Sequence, residues 1–150
     1  MYRFGAFLGA ILLWLGLVTG AMAAERIGQV KVASGDVTIQ RGGQVVPVEA
    51  GTELFEKDVV LTGANSAVGM TFTDNSRMSL GPESSLTLEL YSYQKGGKQD
   101  GFNARLRAGS LTAASGDIAK SRPLAMKVLM PTTVLGVKGT EFAVRVSGDG

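Results

Sequence analysis

Between Ala67 and Tyr93 apolar and polar residues alternate with a period of two. Val68, Met70 and Phe72 share one face against Thr71 and Thr73, and the chain turns at Asp74-Asn75. Met78 and Leu80 resume the alternation, Gly81-Pro82 breaks it, and Leu86, Leu88 and Leu90 continue against Ser85, Thr87 and Glu89. A period of two is the signature of half-buried strands, and Asp and Asn suit the turn because their side chains bond nearby backbone and tolerate the left-handed conformation.

The same pattern fills most of the chain. Val30 and Val32, then Val37 and Ile39, form one-sided runs, followed by Arg41-Gly42-Gly43-Gln44. Two adjacent glycines allow positive φ at both turn positions, so this reads as a tight hairpin. Pro47 in the return run points to an edge or a bulge. Phe102, Ala104, Leu106 and Ala108 predict another strand, Ser110 to Ser115 a short β-like piece, and Gly116-Asp117 a turn. Met126, Val128 and Met130 end at Pro131, and Phe142, Val144 and Val146 close the sequence. After the N-terminal segment no stretch carries a helical apolar period over three turns. The expected fold class is all-β: many short strands in a β-solenoid-like form or a twisted double-sheet sandwich.

The N-terminus differs. Arg3 precedes the apolar run Phe4 to Val18, and Ala21-Met22-Ala23 offers the small residues of a cleavage site. Residues 1–23 are therefore expected to be a signal peptide and residues 24–150 the exported domain. The rival reading is an uncleaved anchor, since Phe4 to Ala24 is uncharged and long enough to cross a bilayer. Either way Glu25 to Gly150 is expected outside the cytoplasm, periplasmic or extracellular.

Composition narrows the chemistry. The chain has 150 residues, 45% hydrophobic and 19% charged, which fits one globular domain. It contains no cysteine and no histidine. Disulfides, thiolate chemistry and a Ser-His-Asp triad are excluded, along with the commonest transition-metal ligand. No cofactor and no metal site are expected. The 15 basic residues include Arg3, so the remainder nearly balances 13 acidic ones. The acidic excess lies in Glu25 to Ser76 and the basic excess in Arg77 to Lys138. The basic residues form no run, so a solvated mixed surface is favoured over a polyanion site, and no nucleic-acid partner is expected.

A series of motifs, in order, resembles the FecR domain family. Gly28-Gln29-Val30 and Gly35-Asp36-Val37 open it. Gly51-Thr52-Glu53-Leu54 leads to Asp58-Val59-Val60-Leu61-Thr62. Next comes Phe72-Thr73-Asp74-Asn75-Ser76-Arg77-Met78-Ser79-Leu80-Gly81-Pro82, with Ser84 to Leu86. Leu106 to Leu111 carries Gly109, and Met130-Pro131 with Gly139-Thr140-Glu141-Phe142 ends the series. Asn75 stands where the family has glycine, Met78 where it has leucine and Met130 where it has threonine. The resemblance spans nearly all of the exported part. It implies a periplasmic β-rich domain that in iron-transport regulators relays a receptor signal to a cytoplasmic anti-sigma segment. Only Met1 to Arg3 precede the apolar run here, so the chain is expected to be similar to the stand-alone exported members.

Four residues stand out as a tentative binding surface. By parity Tyr91 and Tyr93 lie on the polar face with Thr87 and Glu89, beside Lys95 and Lys98. Exposed tyrosines favour protein or glycan contact; the alternative is a second face that is also covered. The Glu49, Glu53, Glu56 and Asp58 cluster reads as a solvated loop, with paired-carboxylate glycoside hydrolysis as the catalytic alternative. Asp74, Asn75 and Ser76 read as a turn, since the spacing lacks the alternating ligands of a calcium loop. The expected function is non-catalytic interaction with an unidentified envelope protein in signalling or assembly. An envelope polysaccharide or polyanion is the alternative ligand, a glycosidase the remote third. Membrane contact is expected only if the N-terminal segment is uncleaved.

Overall fold

A computed structural model of the chain describes residues 24–94, 99–122, 124–138 and 141–147, so the predicted signal segment lies outside the described residues. The strands are β1 (Arg26–Ser34), β2 (Val37–Arg41), β3 (Gln44–Pro47), β4 (Glu53–Phe55), β5 (Val59–Thr62), β6 (Ala67–Phe72), β7 (Arg77–Leu80), β8 (Ser85–Ser92), β9 (Gly101–Ala114), β10 (Met126–Met130), β11 (Thr133–Val137) and β12 (Glu141–Val146). One short helix, α1 (Asp117–Ser121), follows β9. The all-β expectation holds.

The strands form one continuous sheet in the order β3-β2-β5-β8-β9-β7-β6-β1-β4, with β10 and β12 also paired to β9 and β11 paired to β10. Strand β9 is the joint. Its first half lies between β8 and β10, and its second half between β7 and β12. Between the halves stands Gly109 at φ +87°, a left-handed conformation that glycine adopts without steric cost. The sequence pattern suggested two strands here; the chain instead makes one, bent at Gly109, that carries the sheet from one wing to the other. Both wings turn their apolar faces into one core.

The alternation works as expected over most of this core. Val68, Met70 and Phe72 on β6, Met78 and Leu80 on β7, and Leu86 and Leu88 on β8 are all buried. Each such side chain contributes about 1.5–3 kcal/mol relative to exposure. The Gly42-Gly43 hairpin has positive φ at both turn residues and joins β2 to β3 with Arg41 opposite Gln44. Pro47 sits on β3, an edge strand, where its missing N–H costs no ladder bond.

Parity fails on β1, where the register with β6 shifts between Val30 and Val32 and leaves Val30 buried but Val32 61% exposed. It fails again on β8, where it moves a candidate residue. The β8–β9 register shifts between Leu88 and Leu90. A bulge adds one residue to one strand, so every side chain beyond it changes face. Leu90 is consequently 45% exposed and Tyr91 only 9% exposed. The expected placement of Tyr91 on the polar face, opposite Leu90, is thus corrected. Helix α1 also departs from expectation: Gly116-Asp117 opens a single helical turn rather than a simple reversal, too short to show an apolar period.

Candidate functional site

Three sets of buried polar groups pin the turns, and they use most of the motif residues. Asp58 is 1% exposed and accepts from Arg41 through both carboxylate oxygens, Nε to Oδ1 at 2.9 Å and Nη2 to Oδ2 at 2.8 Å. The Phe55 amide donates to Oδ2 at 2.9 Å. This bidentate fork holds the β4–β5 turn against β2. The same guanidinium donates to the Glu53 carbonyl and lies 4.7 Å from the centre of the Phe55 ring. The hydrogen bond to Asp58 holds Arg41 above its ordinary pKa.

The second set surrounds the turn between β7 and β8, against which Thr62 at the end of β5 is placed. Thr62 Oγ1 donates to the Gly81 carbonyl at 2.6 Å and accepts the Ser84 amide at 2.8 Å. Ser84 Oγ donates to the Gly81 carbonyl and accepts the Ser110 amide at 3.0 Å. A Cβ at Gly109 would come within 2.5 Å of Ser84 Cα, so close approach as well as backbone conformation requires glycine. Pro82 is exposed at this turn. Gly51 has φ +95° and donates its amide to the Val30 carbonyl at 2.8 Å.

The third set centres on Asp74, which is fully buried. Its Oδ1 accepts the Ser76 amide at 3.1 Å and the Ser76 hydroxyl at 2.5 Å, while Oδ2 accepts the Ile118 amide at 3.3 Å. The Asp74 carbonyl accepts the Asp117 amide at 2.7 Å. Its own amide donates to the Tyr91 hydroxyl at 2.9 Å, and that hydroxyl shares a 2.7 Å hydrogen bond with Thr73 Oγ1. Asn75 takes the left-handed turn position at φ +69°, which is why asparagine can replace the usual glycine. The Tyr91 ring packs edge-on against Phe102 at 4.9 Å, and Phe102 edge-on against Phe72 at 4.8 Å. Burial, with the charge of Asp74 adding to it, pushes the Tyr91 phenol well above its ordinary value. Tyr91 is therefore a core anchor.

Tyr93 has a different setting. It is half-buried, and its hydroxyl donates to Asp117 Oδ2 at 2.9 Å, which raises its pKa. The ring borders a cleft of about 400 Å³ lined by Glu25, Arg26, Glu56, Thr73, Tyr93 and Gln94 among others. Glu56 accepts the Tyr91 amide at 2.9 Å, and the Gln94 amide donates to Asp100 Oδ1 at 2.8 Å, so the cleft wall is tied down at both ends. Beyond the β8 bulge Tyr91 is buried beneath the cleft, and Tyr93, just past the end of the strand, stands at its rim. Lys95 and Lys98 lie outside the described residues, as do Gly139 and Thr140; Pro131 is exposed and Phe142 half-buried on β12.

Sequence reasoning missed Arg26 and Glu56 as cleft neighbours of Tyr93, because β1 and the β4–β5 turn are distant in sequence from the end of β8. The acidic cluster is dispersed: Asp58 is bound to Arg41, Glu56 to the Tyr91 amide, and Glu49 and Glu53 are exposed. Among the described residues no group of three or more acidic side chains is placed to hold a metal ion, and no helix is long and apolar enough to cross a membrane.

A search of curated proteins returned no match. Among solved structures, one titled "Cell surface anchoring domain" is similar at 31% identity, covering 41% of this chain and 82% of that chain with a TM-score of 0.40. The family model described as "FecR protein" matches residues 58–150. That span contains the Asp58, Thr62, Asp74 and Gly109 anchors just described, and the chain belongs to the FecR protein family.

Proposed function

We propose that this protein is a non-catalytic exported domain that binds a partner protein in envelope signalling or assembly, through the cleft at the end of β8. The observation that carries this reading is the setting of Tyr93. Its ring stands at the rim of a cleft and its hydroxyl is tethered to Asp117, so the side chain has little rotamer freedom to lose on binding. Tyrosine gives a large contact area with a polar tip, the character of an interface anchor. Arg26, Glu25 and Gln94 supply a mixed polar surround. Family membership supports the same class of role. The buried carboxylates of the motif are spent on backbone amides and on Arg41, work that maintains the fold.

A second reading is an envelope glycan ligand, favoured by the pairing of an aromatic rim with the acid and amide groups of Glu25, Glu56 and Gln94. Two carboxylates in the cleft make a neutral saccharide a better fit than a polyanion.

The test is capture from a solubilised envelope fraction by the exported protein, with Tyr93→Ala and Arg26→Ala variants in parallel. The protein-partner reading expects one partner retained by the parent and lost from both variants, with circular dichroism unchanged. Equal retention by parent and variants would contradict the cleft assignment. Retention on isolated glycan without a protein would move the assignment to the second reading, and steep salt sensitivity would identify the ligand as a polyanion.

A further inference from the structure

The described strands leave four sheet edges, at β3, β4, β11 and β12. An edge presents unpaired N–H and C=O groups, and proteins usually blunt it with proline, charge, bulges or short length. Three of the four are blunted. Strand β3 ends in Pro47. Strand β4 has three residues, and the Arg41 guanidinium occupies its Glu53 carbonyl. Strand β12 alternates exposed Glu141 and Arg145 with half-buried apolar residues.

Strand β11 is unprotected. Thr133-Val134-Leu135-Gly136-Val137 has no charge and no proline, and its five pairs with β10 run without a register shift. Val134 is 60% exposed. The hairpin to β10 is closed by Met130 and Thr133, so Thr133, Leu135 and Val137 bond inward while Val134 and Gly136 turn their backbone groups outward.

We infer that β11 pairs antiparallel with β11 of a second copy of this chain, forming a two-fold dimer with the axis at Leu135. This register matches all five residues. It sets the outward-bonding Val134 opposite Gly136 of the other copy, and Leu135 opposite itself. The glycine matters. Leu124 holds a left-handed backbone at φ +64°, unusual for a bulky residue, and its side chain lies over Gly136 in the space a Cβ would take. Leu124 is itself 50% exposed. In the paired register Val134 of one copy meets Leu124 of the other, so two of the largest exposed apolar side chains cover each other. Charge agrees with self-pairing: Lys138 falls opposite Thr132 of the other copy, and the two Lys138 side chains stand at opposite ends of the joint. A two-fold joint closes after one addition, which removes the exposed edge without growth into a fibre. This surface is separate from the Tyr93 cleft, and the dimer does not depend on the partner reading.

The test is sedimentation of the exported protein across concentration, with cross-linking to fix the register. The chain lacks cysteine, so introduced thiols report cleanly. Dimers are expected, and Val134→Lys should weaken them by about a hundredfold or more through an uncompensated charge at the joint, with circular dichroism unchanged. A mixture of Thr132→Cys and Lys138→Cys chains should cross-link with a short bifunctional thiol reagent, and neither variant should do so alone. A monomer at every concentration, a dimer indifferent to Val134→Lys, or cross-linking of either single variant as efficient as the mixture would overturn the proposal.

Discussion

The Tyr91 hydroxyl accepts the Asp74 amide at 2.9 Å, joining the end of β8 to the turn between β6 and β7. Tyr91→Phe should cost about 1–3 kcal/mol in denaturant unfolding, because a buried amide loses its acceptor. The cost should depend on pH. Burial raises the folded phenol above its ordinary 10.0. The unfolded phenol therefore ionises first, and the stabilisation is full below that value and lost as pH rises toward the folded one. The gap between parent and Tyr91→Phe should narrow above pH 10; a constant gap would place the phenol outside the core.

The bulge after Leu88 can be tested with two leucines on one strand. Leu88 is fully buried and Leu90 is 45% exposed. Leu88→Lys should destabilise by several kcal/mol, on the order of 3–5, by burying an unpaired charge. Leu90→Lys should lie within about 0.5 kcal/mol of the parent. Similar melting losses for both would remove the bulge from the account.

Arg41 and Asp58 form a pair with one buried partner, side-chain exposure being 36% for Arg41 and 1% for Asp58. Arg41→Ala should cost about 2 kcal/mol, below the range for a fully buried pair because solvent reaches the guanidinium. Arg41→Lys should recover little, since a point charge cannot span both carboxylate oxygens and the Glu53 carbonyl. Full rescue by lysine in thermal unfolding would show that only charge matters.

Gly109→Ala should destabilise by about 2 kcal/mol or more, through positive φ and contact with Ser84. Ser84→Ala in the same background should relieve only part of the loss, because the nearest obstacles include Ser84 Cα. Complete relief would assign the constraint to the hydroxyl alone.

Much of this fold was legible because alternation is local. Val68 to Phe72, Met78 to Leu80 and Leu86 to Leu88 needed only a period of two, and Gly42-Gly43 only turn chemistry. What failed was non-local. The extra residue at the β8 bulge is defined against β9, so parity carried past Leu88 put Tyr91 on the wrong face. The joining of Phe102–Ala108 with Ser110–Ala114 into one bent strand depends on neighbours on both sides. The parallel pairing of β10 with β9 leaves no mark in either strand.

The candidate site was half legible. Tyr93 was singled out by the same parity argument that misplaced Tyr91, and its cleft is assembled from β1, the β4–β5 turn and the end of β8. Asp58, Thr62, Asp74 and Gly109 were recognised through the family pattern, and the structure supplies their physics: each satisfies or permits a buried turn.

The central claim is that the cleft beside Tyr93 receives a protein partner. The most direct measurement is photo-crosslinking in cells from a reactive amino acid at Arg26 or Gln94 on the cleft, with Val45 on the β3 edge as control. The account predicts one shared protein adduct from Arg26 and Gln94, absent from Val45 and lost when Tyr93→Ala is added. An adduct from Val45 alone, or one unaffected by Tyr93→Ala, would contradict it.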